Sequence, residues 1–245
     1  MTLDPRPSVL RKRLSGFSRI VPILSPKGGV GKTTFAVALA LTLGQHRAVS
    51  LLDLDINNPT AHIVLGVDAR EAKIEEDKGI LPVRVSGGGL EFMSIALFTR
   101  DRLLPLRGKD AVNAIIELLS TTRWSGSIMV IDTPPGFSDE VMEILRLCRG
   151  VEPVVVSTPD ILSVVSTQRI VEVLREEGVR VVGIVGNMCR DRGDAEMLRK
   201  RAELLGVKML TCVPWIEGLQ KLFGDPMRLA EVFKPHVEPV AALFG

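Results

Sequence analysis

The sequence predicts a doubly wound α/β fold: a mostly parallel sheet with helices on both faces. Three observations carry this. Short runs of Val, Ile and Leu recur without polar alternation, as strands buried on both faces do. Helical stretches separate these runs, which is the βαβ rhythm. Several runs end in a Gly-rich turn or an aspartate, at the carboxyl ends where open sheets bind ligands. The composition agrees, with 46% hydrophobic and 24% charged residues in a chain of 245, which excludes global disorder. A chain of this length buries a sizeable core without staples.

Taken in order, residues 1–18 are Pro- and Arg-rich with poor periodicity and read as a mobile or loosely docked basic arm. Residues 19–245 read as a single domain, with no internal repeat or linker. Its first strand is 20–25, with Pro22 near the start, where a missing N–H is tolerated. Helix 32–43 and strand 48–54 follow. Strands 80–85 and 90–96 flank Gly87-Gly88-Gly89 as two strands and a turn. Helix 110–120 places Ala111, Ala114, Ile115 and Leu118 on one face. Next come strand 128–132, helix 139–148, strand 153–157 and helix 161–177, the last stopped by Gly178. Strand 181–187, helix 194–205 stopped by Gly206, and strand 208–213 continue the alternation. One or two helices fill 216–243, broken by Pro226, Pro235 and Pro239.

Composition narrows the setting. No run reaches the roughly 18 apolar residues of a membrane span. The basic N-terminus has no apolar core behind it, so it is not a secretory signal. Cys148, Cys189 and Cys212 form no C-x-x-C, which excludes a disulfide scaffold and a four-ligand zinc module within one chain. They read as core thiols of a protein in a reducing compartment, by default the cytoplasm. A formal net charge of +2 speaks against bulk electrostatic binding of DNA. Arg190, Arg192, Arg199, Lys200 and Arg201 read as a solvated helix face. His46, His62 and His236 have no metal-ligand spacing.

The chemistry concentrates where the first strand meets the first long helix, in Ser25-Pro26-Lys27-Gly28-Gly29-Val30-Gly31-Lys32-Thr33-Thr34. Glycines there let backbone N–H groups curl around phosphate oxygens, and the helix N-terminus adds its positive end. Lys32 is placed to reach the β/γ-phosphates and Thr33 to ligate Mg²⁺. The run Ile128-Met129-Val130-Ile131-Asp132 reads as the strand whose aspartate, Asp132, holds the Mg²⁺ shell. Gly136, four residues on, could present its N–H to the γ-phosphate. Asp53 and Asp55 close the second strand. One of the two can position an attacking water while the other supports the metal.

The phosphate loop departs from G-x-x-x-x-G-K-[ST] in having Pro26, and fits K-G-G-x-G-K-[ST] with a second lysine, Lys27. In this it resembles the deviant Walker A ATPases of the MinD/ParA, nitrogenase iron-protein and Mrp group. Asp132-Thr133-Pro134-Pro135-Gly136-Phe137-Ser138-Asp139-Glu140, Val155-Val156-Ser157-Thr158-Pro159-Asp160 and Gly183-Ile184-Val185-Gly186-Asn187-Met188 are similar to segments of the Mrp branch. The resemblance runs from about residue 20 to about residue 224. It implies an ATP hydrolase of slow turnover acting as a nucleotide-driven homodimerisation switch on an unidentified protein client. It implies that the loop Lys27–Thr34 holds ATP or ADP, that Lys27 crosses to the partner's ATP, and that Asp55 positions water and joins Thr33 and Asp132 around Mg²⁺. It further implies that Asn187 and a backbone group at Pro214 contact the adenine. The branch's iron–sulfur cluster needs a C-x-x-C after the Asn-Met pair, and this chain has only Cys189 there. Iron–sulfur assembly or carriage is thus implied by the resemblance and not by the cysteines. The alternative is a MinD/ParA-like positional or partitioning switch that binds a protein, membrane or DNA. Pro235 and Pro239 speak against an amphipathic membrane tail.

Overall fold

The computed structural model describes residues 6–85, 88–148 and 150–245. Eight strands make one sheet: β1 (Arg19–Leu24), β2 (Val49–Asp53), β3 (Val83–Arg84), β4 (Leu90–Ser94), β5 (Ile128–Asp132), β6 (Val154–Ser157), β7 (Gly183–Cys189) and β8 (Met209–Pro214). Their order is β3-β4-β2-β5-β1-β6-β7-β8, and every pairing is parallel except β3 with β4. The predicted doubly wound parallel sheet is the fold observed. Of the expected hairpin, the first strand shrinks to two residues, because Ile80 bridges Thr122 instead, donating to Thr121 O and accepting from Arg123 N. Gly87 of its turn lies outside the described residues.

Nine helices are described: α1 (Arg6–Leu14), α2 (Lys32–Gly44), α3 (Ala61–Leu65), α4 (Ala96–Thr99), α5 (Lys109–Thr121), α6 (Asp139–Leu147), α7 (Ile161–Glu176), α8 (Arg192–Leu204) and α9 (Pro226–Ala241). From β1 the chain crosses leftward through α2 to β2, but from β5 onward it crosses rightward through α6, α7 and α8. With right-handed crossovers, these two directions put α2 on one face and α6–α8 on the other. The direction changes around β1, so a crevice opens at its carboxyl end, where the phosphate loop sits.

Central strands are buried throughout, as in the all-buried pattern of β2, β5 and β6. Pro22 lies inside β1, further along than expected. Two residues earlier Ile20 O accepts from Glu152 N on the β6 side, and the β1–β6 register starts only at Ile23. By the two-residue period Pro22 faces β6 where that ladder has not begun, so its missing donor costs nothing.

Helix α2 is buried almost all round. Its sequence, KTTFAVALALTLG, has no polar stripe, which marks a helix enclosed on every side. The sheet covers one side, and α9 covers another. Two expectations change here. Helix α9 runs unbroken through Pro235 and Pro239. Both prolines are exposed, and four residues apart they lie on one face, while Leu229, Phe233, Val237 and Val240 bury the other against the core. Pro226 begins the helix, where a missing N–H is no loss. Residues 6–14, expected as a loosely docked arm, form α1, with Leu10 and Leu14 buried against α5. Arg13 Nη1 donates to Thr122 O at 2.9 Å.

The cysteines also depart from expectation. Cys189 and Cys212 are joined as a disulfide, with Cα atoms 6.6 Å apart. The pairing of β7 with β8 brings them together, since Gly186 aligns with Cys212 and Cys189 with Pro214 across a register shift. With two of the three cysteines paired, the cysteines no longer point to a reducing compartment. Cys148 remains a free buried thiol, pushed up to about 12 by burial. Among the described residues, no helix is long and apolar enough to cross a membrane.

Phe233 is 2% exposed where α9 meets the core. Phe233→Ala is expected to lower the unfolding free energy by about 3–5 kcal/mol in denaturant titration.

Candidate functional site

Strand register builds the site. Asp53 of β2 pairs with Asp132 of β5, and Asp132 pairs with Ile23 of β1, so both carboxylates stand level at the carboxyl edge beside the phosphate loop. Lys32 opens α2, and its ammonium makes a short hydrogen bond to Asp132 Oδ1. Both side chains are almost fully buried, at 6% and 1% exposure. A buried cation without a partner would be strongly destabilising, so this pairing fixes the lysine. Asp132 Oδ2 is buried and has no partner. Thr33 is half-buried on the next residue of α2.

Asp53 is fully buried and accepts from Asp55 N at 3.1 Å, Ala61 N at 3.1 Å and Ser94 Oγ at 3.5 Å. Burial, then the neighbouring Asp132 carboxylate, push it up to about 8, against the opposing pull of those N–H groups and Lys32. Asp55 is half-buried; burial raises its pKa, while Lys32 and the N–H of Asn58 oppose the rise. It lines a cavity of about 330 Å³ with Pro134, Pro135, Ser138 and Glu140, where the two loops that resemble nucleotide switches face each other.

The loop itself is tied to three other parts of the sheet. Gly136 N donates to Ser25 O at 3.0 Å, so this N–H, expected to meet a phosphate, holds the loop instead. Asn187 Nδ2 donates to Val30 O at 2.7 Å, which occupies one of its two amide hydrogens. Gly31, at φ 82°, passes so close to that amide that a Cβ would lie 2.2 Å from Nδ2. Only glycine fits there. Met188 follows at φ 59°, and past the Cys189–Cys212 link the chain turns at Trp215, whose N donates to Cys189 O at 2.8 Å.

Lys27 bonds to a different carboxylate from Lys32. Its ammonium donates to Asp160 Oδ1 at 2.8 Å, on the turn between β6 and α7. A cavity of about 440 Å³ opens beside it, lined by Gly28, Gly29, Thr158, Met188 and Trp215 among others. Pro214 is exposed at the end of β8, next to Trp215. Sequence reasoning brought Lys27, Lys32, Asp53, Asp55, Asp132, Asn187 and Pro214 to this edge of the sheet. It missed Asp160 and Trp215. The segment around residues 157–160 was singled out as a family resemblance, but nothing in the sequence joins Asp160 to a lysine 133 residues away.

This arrangement has known counterparts. Residues 16–214 match the ParA family model described as NUBPL iron-transfer P-loop NTPase. The chain belongs to that family. An iron-sulfur cluster carrier protein from Pseudomonas fragi is 34% identical over 238 residues, 91% of this chain and 82% of the relative. A nucleotide-binding protein from Archaeoglobus fulgidus, solved with ADP, is 25% identical with a TM-score of 0.74, covering 92% of this chain and 93% of its own. The cell division ATPase MinD of Pyrococcus furiosus has the same fold, with a TM-score of 0.68 at 23% identity over 93% of this chain and all of its own (100%). Membership makes this chain a nucleotide-binding P-loop NTPase. The family match and the carrier relative bear out the Mrp-like reading of the motifs.

Gly31→Ala forces a left-handed alanine into the Asn187 amide. It is expected to weaken ADP binding by about tenfold or more, read by titration calorimetry.

Proposed function

We propose that this chain is a magnesium-dependent ATPase whose ATP-bound form dimerises, and that the switch serves iron–sulfur cluster assembly. One observation carries the ATPase reading: Asp132 is bonded to Lys32 through one oxygen and leaves the other buried and unpartnered at the phosphate loop. That orphaned oxygen, on a carboxylate close enough to Asp55 to act on its charge and bonded to the lysine that precedes Thr33 on α2, fits a hard cation taking oxygen ligands. Magnesium, when bound, would neutralise charge on the phosphate oxygens.

The residues divide the remaining work. Backbone N–H groups of Gly28–Thr34 bind the phosphates. Lys32 exchanges Asp132 for the β/γ-phosphate oxygens. Asp55 accepts a hydrogen bond from the attacking water, whose oxygen bonds to the γ-phosphorus as the bond to the β,γ-bridging oxygen breaks, leaving ADP and phosphate. Lys27 of the partner protomer supplies further positive charge to the γ-phosphate. A single protomer lacks that charge, so turnover outside the dimer is expected to be slow. Gly136 would release Ser25 O to meet the γ-phosphate, which makes its loop nucleotide-sensitive. Asn187, with its remaining amide hydrogen and its oxygen, and the backbone at Pro214 take the adenine edge.

The iron–sulfur role is carried by relatedness to the carrier protein. The cluster is cargo, and this chain's cysteines do not fit it. A cluster bridging two protomers takes four thiolates. Here Cys189 and Cys212 bond to each other within one protomer, packed against Val164 and Leu198. The chain therefore acts on a client's cluster, in the cytoplasm, where ATP is supplied. The MinD likeness carries only the fold, so a positional switch on membrane or DNA is the weaker reading.

Lys27→Ala should leave ADP affinity within about twofold while cutting ATP-driven dimerisation and ATP turnover at least ~tenfold, as loss of a contact made only to the partner's ATP does. Unchanged turnover would remove Lys27 from the mechanism. Anaerobic iron and sulfide reconstitution should load no stable cluster on this chain alone; a cluster spectrum that disappears in Cys189→Ala would assign the cluster to its own thiols.

A further inference from the structure

Lys27 has a prior engagement inside its own protomer. Its partner, Asp160, is held from three directions. Lys27 Nζ donates to Oδ1 at 2.8 Å, Ser163 N donates to the same oxygen at 3.0 Å, and Thr158 Oγ1 donates to Oδ2 at 2.6 Å. The Ser163 bond is the N-cap of α7, so the carboxylate is fixed by the helix it starts. It is therefore preorganised to receive an ammonium without ordering a loose side chain. Partial burial alone would raise its pKa, yet the bonds from Lys27, Thr158 and Ser163 bring Asp160 down to about 2, so it stays ionised at any working pH. Both side chains remain roughly half-exposed, at 43% and 44%, so the lysine can leave.

We propose that Asp160 is a positioning residue that latches Lys27 onto its own protomer, so that dimerisation on ATP must first break this ion pair. The inference rests on the reading of Lys27 as the lysine that crosses to the partner's nucleotide. It adds a competitor to that reading. Each protomer holds its crossing lysine back, and only a phosphate on the partner displaces the carboxylate.

The size of the effect follows from the pair's exposure. An exposed ion pair shifts an equilibrium by about threefold, and a dimer breaks two, so the dimerisation constant should move by about tenfold. The pair is also screened by salt, so raising ionic strength should shrink the difference.

Asp160 also caps α7, and the test must separate the two roles. Asp160→Asn keeps an oxygen to accept from Ser163 N but loses the charge that holds Lys27. With a non-hydrolysable ATP analogue, dimerisation measured by sedimentation should tighten about tenfold in Asp160→Asn, and less at high salt. In a Lys27→Ala background the same substitution should change nothing. Unchanged or weaker dimerisation in Asp160→Asn, or equal tightening with and without Lys27, would overturn the latch. Lys27→Ala is the separate control on the underlying reading. If that variant dimerises like the parent, Lys27 does not cross at all. If it fails to dimerise while Asp160→Asn behaves like the parent, Lys27 crosses but is not latched.

Discussion

A lysine buried beside an aspartate organises this molecule. Lys32 and Asp132 come from different strands' ends, α2 after β1 and the last residue of β5, and neither could be buried alone. The adjacency of β1 and β5 in the sheet order is what lets them meet. Around them stand two more carboxylates, Asp53 and Asp55. One cation therefore faces three acids. The chain relieves part of this imbalance by shifting Asp53 toward its neutral form, through burial and the neighbouring Asp132 carboxylate. The rest is relieved only by added positive charge, and that is the demand a nucleotide-bound divalent cation and a second lysine would meet.

The phosphate loop is held in place by contacts that a ligand must exchange or preserve. Val30 O is engaged by Asn187 from β7, Ser25 O by Gly136 after β5, and Lys27 by Asp160 after β6. Each tether comes from a segment that also carries chemistry. The loop is thus read by three strands' carboxyl ends at once, and any movement that frees one tether alters the segment attached to it. The loop is thus joined to the other carboxyl ends through discrete hydrogen bonds rather than through a diffuse apolar contact.

Local chemistry made most of the architecture legible. Uninterrupted apolar runs gave the positions of β1, β2, β5, β6, β7 and β8, and glycines at 178 and 206 marked helix ends. The phosphate loop and Asp132 could be found because the chemistry needs those residue types in a fixed local order. What escaped the sequence was set by partners far along the chain. Cys189 and Cys212 are 23 residues apart, and only the β7–β8 register joins them. The Lys27–Asp160 contact spans 133 residues. Pro235 and Pro239 looked like breaks because local propensity disfavours them, yet tertiary packing of Phe233 and Val237 carried the helix through. Likewise the weak periodicity of 6–14 hid two leucines that the core accepts.

The way α2 is enclosed governs when this protein can form. Its outer side is covered by α9, residues Pro226–Ala241, so the helix that follows the phosphate loop stays uncovered until those residues are made. During translation the first βα unit emerges well before α9, and its apolar helix stays open to the solvent until that segment follows. Until α9 follows, that face of α2 is exposed apolar surface of the kind that favours aggregation, and the phosphate loop stands on an uncovered helix. A ribosome stall before α9 would release a chain with the signature loop intact and the helix behind it unsupported.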